Sequence, residues 1–325
     1  MTETYKNLFR YIAGNDLKKT RAYAQVILKG SKSARDAAFC ENILRKMEEQ
    51  DQQGVEIPFN LKTIIRTSCS PFEFNSDRYF LTEREKTVIE HIRKMYSVSG
   101  RLSELGIRYT NAVLLHGVSG TGKTTFAQYV AKSLGLPFFY VSITQLIDCY
   151  LGKTGQNLES VFEFANSMPC VLVLDEIDQI GSRRLDDGGT SGEMKRVLIT
   201  ILQNLDRLPN DVILIAATNR PDVLDEALVR RFAVRHEVTR LSFAESVRFT
   251  TDYMSKTGLG WTGSVTTFLH QLGGENAELD GMTPALITQR LNEKIAEALY
   301  TGEPDPTVWL NKSEEGENNG QAQET

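Results

Sequence analysis

The stretch GVSGTGKTT, Gly117 to Thr125, sets Gly117, Gly122, Lys123 and Thr124 at the spacing G-x-x-x-x-G-K-T. Ser119, Gly120, Thr121 and Thr125 complete a run of small, donor-rich residues. Glycine-rich backbone gives up much entropy on ordering, so its use at a strand end implies that something must approach the main chain closely. Phosphate meets that description. Backbone N–H groups wrap it, the lysine reaches its outer oxygens, and the threonine hydroxyl meets magnesium. A helix starting at Lys123 would turn its positive end toward the same anion. A ligand-free Gly/Ser/Thr turn uses similar residues, but not the full motif between a strand and a helix.

VLVLDEID supplies the other half of a nucleotide site. A buried strand ending in Asp175 and Glu176 puts two carboxylates beside the phosphate loop. Asp175 is expected to hold magnesium with Thr124, and Glu176 to orient and deprotonate an attacking water, which favours a hydrolase over a passive binder. An acidic pair after a strand also serves as a helix cap, and Asp178 reads better as a capping or solvated acid than as a third catalytic group. One strand further on, VILIAATNRPD ends in Thr218 and Asn219. An amide there can bond the water or the terminal phosphate, and asparagine before a proline turn is equally ordinary turn chemistry.

These residues need a scaffold that brings strand ends together. AVLLH, FFYVS, CVLVLD, VILIAAT and RHEVT alternate with helical segments, which predicts an α/β P-loop NTPase fold: a three-layer domain with a parallel sheet between helices. Ligands of such sheets sit at the carboxyl ends of the strands. Residues 71–240 form this domain. Residues 1–70 are expected to be a small helical N-terminal region that takes up substrate or an adaptor, with Phe39, Cys40, Ile43, Leu44 and Met47 on one face. Residues 241–310 predict an all-helical lid. In it Ser242 and Glu245 have capping-box spacing, Thr283 caps a helix opening at Pro284, and Ile287, Leu291, Ile295 and Leu299 form its stripe. Residues 311–325 are polar and free of aromatics, the composition of a disordered tail.

A net charge of −5 argues against a broad nucleic-acid-gripping face. Cys40, Cys69, Cys149 and Cys170 form no C-x-x-C pair, so neither zinc nor a disulfide framework is expected. The apolar runs are strand-sized and the N-terminus lacks a signal-peptide pattern, which predicts a cytoplasmic protein without a membrane partner. No serine-nucleophile elbow or zinc motif predicts a peptidase activity.

From about Leu105 to Leu299 the chain resembles the AAA ATPases of the AAA+ superfamily, on LGIRYTNAVLLHGVSGTGKT, VLVLDEID and AATNRPDVLDEALVRRF. The resemblance implies ATP and Mg2+ as ligands and Asn219 as the sensor of the terminal phosphate. It also implies Arg230 and Arg231 as arginine fingers that complete a neighbouring subunit's site. Contiguous LVRRF is similar to the katanin–spastin branch. Tyr150, Leu151 and Gly152 match an aromatic–aliphatic–glycine triplet that lines a central pore and grips polypeptide; a tyrosine packed under its loop is the other reading. Gly281 and Met282 fall near a family stretch that contacts adenine or ribose. The function implied is a hexameric ATP-driven motor that unfolds, threads or disassembles protein substrates, working with a separate protease or adaptor. Two alternatives are a loader or initiator acting on nucleic acid and a scaffold switched by nucleotide. The latter needs Asp175 and Glu176 but not Tyr150.

Overall fold

The computed structural model describes residues 57–67, 74, 79–149, 153–182, 191–257, 264–274 and 281–301. The chain divides into two compact units, Met1–Pro58 and Phe59–Thr325. The expected helical face at Phe39 to Met47, the triplet Tyr150–Leu151–Gly152 and the expected disordered tail lie outside the described residues.

Five strands, β1 (Ala112–His116), β2 (Phe138–Ser142), β3 (Cys170–Asp175), β4 (Val212–Thr218) and β5 (Val234–Glu237), form one sheet of order β2-β3-β4-β1-β5. Every pairing is parallel. The continuous apolar runs of β1, β3 and β4 follow from their central places, since a parallel strand covered on both faces has no solvent side. All seven residues of β4 are buried. β2, at the edge, alternates intermediate and buried positions along its first four residues. The first four strands match the expected segments, whereas β5 begins one residue earlier than RHEVT and ends at Glu237.

The main helices are α1 (Glu83–Ser97), α2 (Lys123–Leu134), α3 (Ile143–Cys149), α4 (Thr154–Ala165), α5 (Ser191–Leu205), α6 (Phe243–Thr257), α7 (Val265–Gly273) and α8 (Pro284–Thr301), with short helical turns at Ser99–Glu104, Gln179–Ser182 and Glu226–Val229. Ile89 and Ile92 of α1 and Phe126, Ala127 and Val130 of α2 pack with Val113, Leu115, Val171, Val173, Ile213 and Ile215 of the sheet. α4 and α5 pack on each other, burying Leu158, Phe162, Met194, Val197 and Ile201. Burying a side chain of this size contributes about 1.5–3 kcal/mol, which is what holds helices to sheet.

The second unit begins ahead of the expected boundary at Pro71. Leu61, Ile64 and Ile65 are buried, and Arg66 pairs antiparallel with Tyr140, their N–H groups donating at 2.9 and 2.7 Å. That bridge satisfies backbone groups an edge strand would leave open. An apolar triplet too short for a helical stripe gave no periodic signal for this segment.

The helical domain after β5 has its own core of Leu241, Phe249, Met254, Phe268, Leu269, Met282, Ile287 and Leu291. Ser242 N–H donates to Glu245 Oε2 at 2.9 Å and Glu245 N–H to Ser242 Oγ at 3.3 Å, forming the capping box read from the sequence. α8 starts at Pro284, with Thr283 Oγ1 accepting from Leu286 N–H at 3.3 Å. Its expected stripe fades at the far end, where Leu299 is 69% exposed. There the helix has run past the core it packs on.

Candidate active site

The phosphate loop joins β1 to α2. Gly122 opens the helix at φ 99, a left-handed conformation that carries a Cβ only under strain. At Gly117, with φ 147, an added Cβ would stand 2.2 Å from the carbonyl oxygen of Val238, so backbone from beyond β5 occupies the space a side chain would need. The loop is also held from the lid, Ala285 N–H donating to the Gly120 carbonyl at 3.2 Å.

Lys123 Nζ donates to Gly117 O at 2.8 Å, Val118 O at 2.9 Å and Asn219 Oδ1 at 2.6 Å. Thr124 Oγ1 donates to Asp175 Oδ2 at 2.8 Å, and Glu176 N–H to Asp175 Oδ1 at 2.9 Å. Burial lowers the pKa of Lys123 against the opposing charges of Asp175 and Asp178. Burial likewise raises Asp175 despite the Thr124 hydrogen bond. Both groups are therefore desolvated charges, and a phosphate–cation pair would favour the charged form of each. Hydroxyl and carboxylate oxygens this close suit Mg2+, which takes one or two protein oxygens and keeps waters. The residues present fit the ion.

Glu176 stands at φ 59, a left-handed conformation for a residue with a Cβ. Its carboxylate accepts from Ser142 Oγ at 2.9 Å, and the same Ser142 oxygen accepts from Gln145 N–H in the first turn of α3 at 3.3 Å. Ser142 is a site residue that the sequence reading missed. Its signal was a hydroxyl at the carboxyl end of β2, in register with Asp175. Asp178, read as a capping or solvated acid, is instead buried and accepts from Thr218 Oγ1 at 2.7 Å.

These groups line a cleft of about 1240 Å³ between the sheet and the helical domain. Small-molecule sites run to ~1,000 Å³, so a nucleoside triphosphate has room. Ser119, Gly120, Thr121, Gly122, Lys123, Thr124 and Thr125 all face it, as do Asp175, Glu176 and Asn219. Tyr79 and Phe80 line its far side ahead of α1. Tyr79 stacks on Tyr129 and donates its hydroxyl to Glu85 at 2.7 Å, while Glu85 completes a capping box with Thr82. Gly281 and Met282 do not line the cleft. Met282 pairs with Leu241 and is buried in the lid core, and the lid face of the cleft comes from Pro284, Ala285 and Thr288.

Arg230 and Arg231 also lie away from it. Arg231 donates to both carboxylate oxygens of Asp206 at 2.8 and 2.9 Å and to the Ala227 carbonyl at 2.8 Å. Among the described residues Arg230 pairs with Glu226 alone, one turn back, and its side chain is 71% exposed.

A phosphate loop at the end of β1, an acidic pair at the end of β3 and a polar amide at the end of β4, which lies between them, define a P-loop NTPase core. Residues 113–240 match the family described as ATPase family associated with various cellular activities, AAA. These residues form an AAA ATPase domain. It is 31% identical over 220 residues to the uncharacterized AAA family ATPase y4kL of Sinorhizobium fredii, covering 65% of this chain and 66% of that one. It is 38% identical over 186 residues to the peroxisomal ATPase pex6 of Schizosaccharomyces pombe, covering 55% of this chain and 20% of the other. With the 26S proteasome regulatory subunit 10B homolog A of Arabidopsis thaliana the identity is 41% over 130 residues, covering 39% and 33%. The chain thus spans less than two thirds of the length of these curated relatives.

Proposed function

We propose that this protein hydrolyses ATP and, as a homo-oligomeric ring of six subunits, uses the energy to unfold, thread or disassemble protein substrates. The observation that carries the hydrolytic part is the convergence of Lys123, Thr124, Asp175, Glu176 and Asn219, linked by the 2.6 Å Lys123–Asn219 and 2.8 Å Thr124–Asp175 bonds. Glu176 takes a proton from water as the water oxygen bonds to the terminal phosphorus and the bond to the bridging oxygen breaks, giving ADP and phosphate. Lys123 and Asn219 stand where the transferred group gathers charge, and Ser142 holds the Glu176 carboxylate. Thr124 and Asp175 hold magnesium, which when bound offsets charge on the outer phosphates.

The names of the relatives favour protein over nucleic acid as substrate, since a peroxisomal ATPase and a proteasome regulatory subunit are among them. In this reading Tyr150, Leu151 and Gly152 grip extended polypeptide at the ring axis, by stacking and apolar contact that needs no particular partner group. Arg230 and Arg231 reach the neighbouring subunit's nucleotide. A separate protease or adaptor takes the product or delivers the substrate. The likeness to the katanin–spastin branch rests on the contiguous arginines alone. A cytoplasmic location accords with the lack, among the described residues, of any helix long and apolar enough to cross a membrane.

Glu176→Gln tests both halves. The amide holds position without accepting a proton, so the variant should bind ATP and lose turnover. Retrieved from cells in ATP, it should bring down substrate protein that ADP releases. Near wild-type turnover would remove Glu176 as the base, and an eluate of nucleic acid would replace the substrate class.

A further inference from the structure

Asp178 and Thr218 have no part in the chemistry above, yet they are 7% and 1% exposed and bonded to each other at 2.7 Å. The Thr218 hydroxyl also accepts from Arg220 N–H at 2.9 Å, so it fixes backbone on both sides of Asn219. A second tie runs alongside, Ile177 N–H donating to Ala217 O at 3.1 Å. Both ties fall just past the ladder of β3 and β4, whose register ends at Leu174 and Ala216. Beyond that point sheet pairing no longer sets the spacing of the two strand ends. Glu176 lies on one of them, held at φ 59, and Asn219 on the other. A buried carboxylate is retained only when its hydrogen bonding is satisfied, and a capping acid would sit at the surface.

We propose that Asp178 and Thr218 are positioning residues that lock the turn carrying Glu176 to the strand end carrying Asn219, so that base and amide act on one phosphoryl group. The proposal rests on the hydrolytic reading of Glu176. A misplacement of about 1 Å can lower a rate about 10²-fold, so loss of the tie is read in kcat rather than in nucleotide affinity.

The test compares the full chain with Thr218→Ser, Thr218→Val and the double variant Asp178→Leu/Thr218→Val, by phosphate release from ATP, calorimetric binding of ADP and thermal melting. Serine keeps the hydroxyl and should restore turnover to within about threefold of the unmodified chain. Valine keeps the shape without the bond but strands the Asp178 carboxylate, whereas the double variant leaves no buried carboxylate unpaired and stays folded. Both should lose about 10–100-fold in kcat while ADP affinity holds. A folded double variant with full turnover overturns the proposal, as does a parallel loss of ADP affinity and rate. An unmodified chain that binds ADP but releases no phosphate removes the hydrolytic reading itself, an outcome distinct from either.

Discussion

Arg231 and Asp206 show how a single pair can separate two residues that look alike in sequence. Arg231 is committed to a two-oxygen contact with Asp206 and a bond to the Ala227 carbonyl, while among the described residues Arg230 has one exposed partner. Arg230 is therefore the freer of the two to reach another chain. The Arg231 hydrogen bond lowers the pKa of Asp206, so the pair stabilises the fold above the ordinary carboxylate range and that stability fades as pH falls through the lowered value. Solvent screens a pair whose Asp206 side chain is 55% exposed, which limits it to ~0.2–1 kcal/mol. The melting-temperature gap between the unmodified chain and Asp206→Asn should be widest near neutrality and narrow as pH falls below the ordinary carboxylate range. A gap that does not change with pH would show that the charge is not what the pair contributes.

The phosphate loop is an element whose shape is set by what touches it. Val238 follows β5 and donates its N–H to the His116 carbonyl at 2.7 Å, which brings its own carbonyl against Gly117. Gly117→Ala would place a methyl 2.2 Å from backbone that no rotamer change can move. The expected loss is about 1–3 kcal/mol of stability together with nucleotide binding. Gly100→Ala, in the short helix Ser99–Glu104 with open space around its Cβ, should instead be neutral or stabilise by up to about 1 kcal/mol. Thermal melting with ATP titration compares the two, and a Gly117→Ala protein that melts and binds normally would contradict the close approach.

At the scale of the whole molecule the arginines and the nucleotide pocket belong to different surfaces of one chain, since neither arginine lines the cleft. In the proposed ring, Arg230 of a neighbouring subunit would bring a guanidinium to the terminal phosphate. Such fingers contribute about 10³–10⁵ in rate in other phosphoryl-transfer enzymes. Subunits carrying Arg230→Ala, mixed with subunits carrying Lys123→Ala, should regain part of the ATPase rate wherever an intact pocket meets an intact finger. Mixed rings that recover no activity at any ratio would count against the trans arrangement.

The sequence by itself determined the sheet and the segments whose ends meet at the cleft. Runs such as CVLVLD and VILIAAT can only be strands covered on both faces, and the loop from Gly117 to Thr125 has a spacing that few other uses of glycine require. Helix starts at Ser242 and Thr283 were legible because capping acts over three or four residues. Contacts between distant segments were not. The Ser142 hydroxyl on Glu176, the Asp178–Thr218 tie and the Val238 carbonyl at Gly117 each join parts of the chain that only the strand order β2-β3-β4-β1-β5 brings together. The clasp of Arg66 on Tyr140 and the departure of Leu299 from the lid core have the same cause: local pattern fixes which face is apolar, and tertiary packing decides how far that face is used.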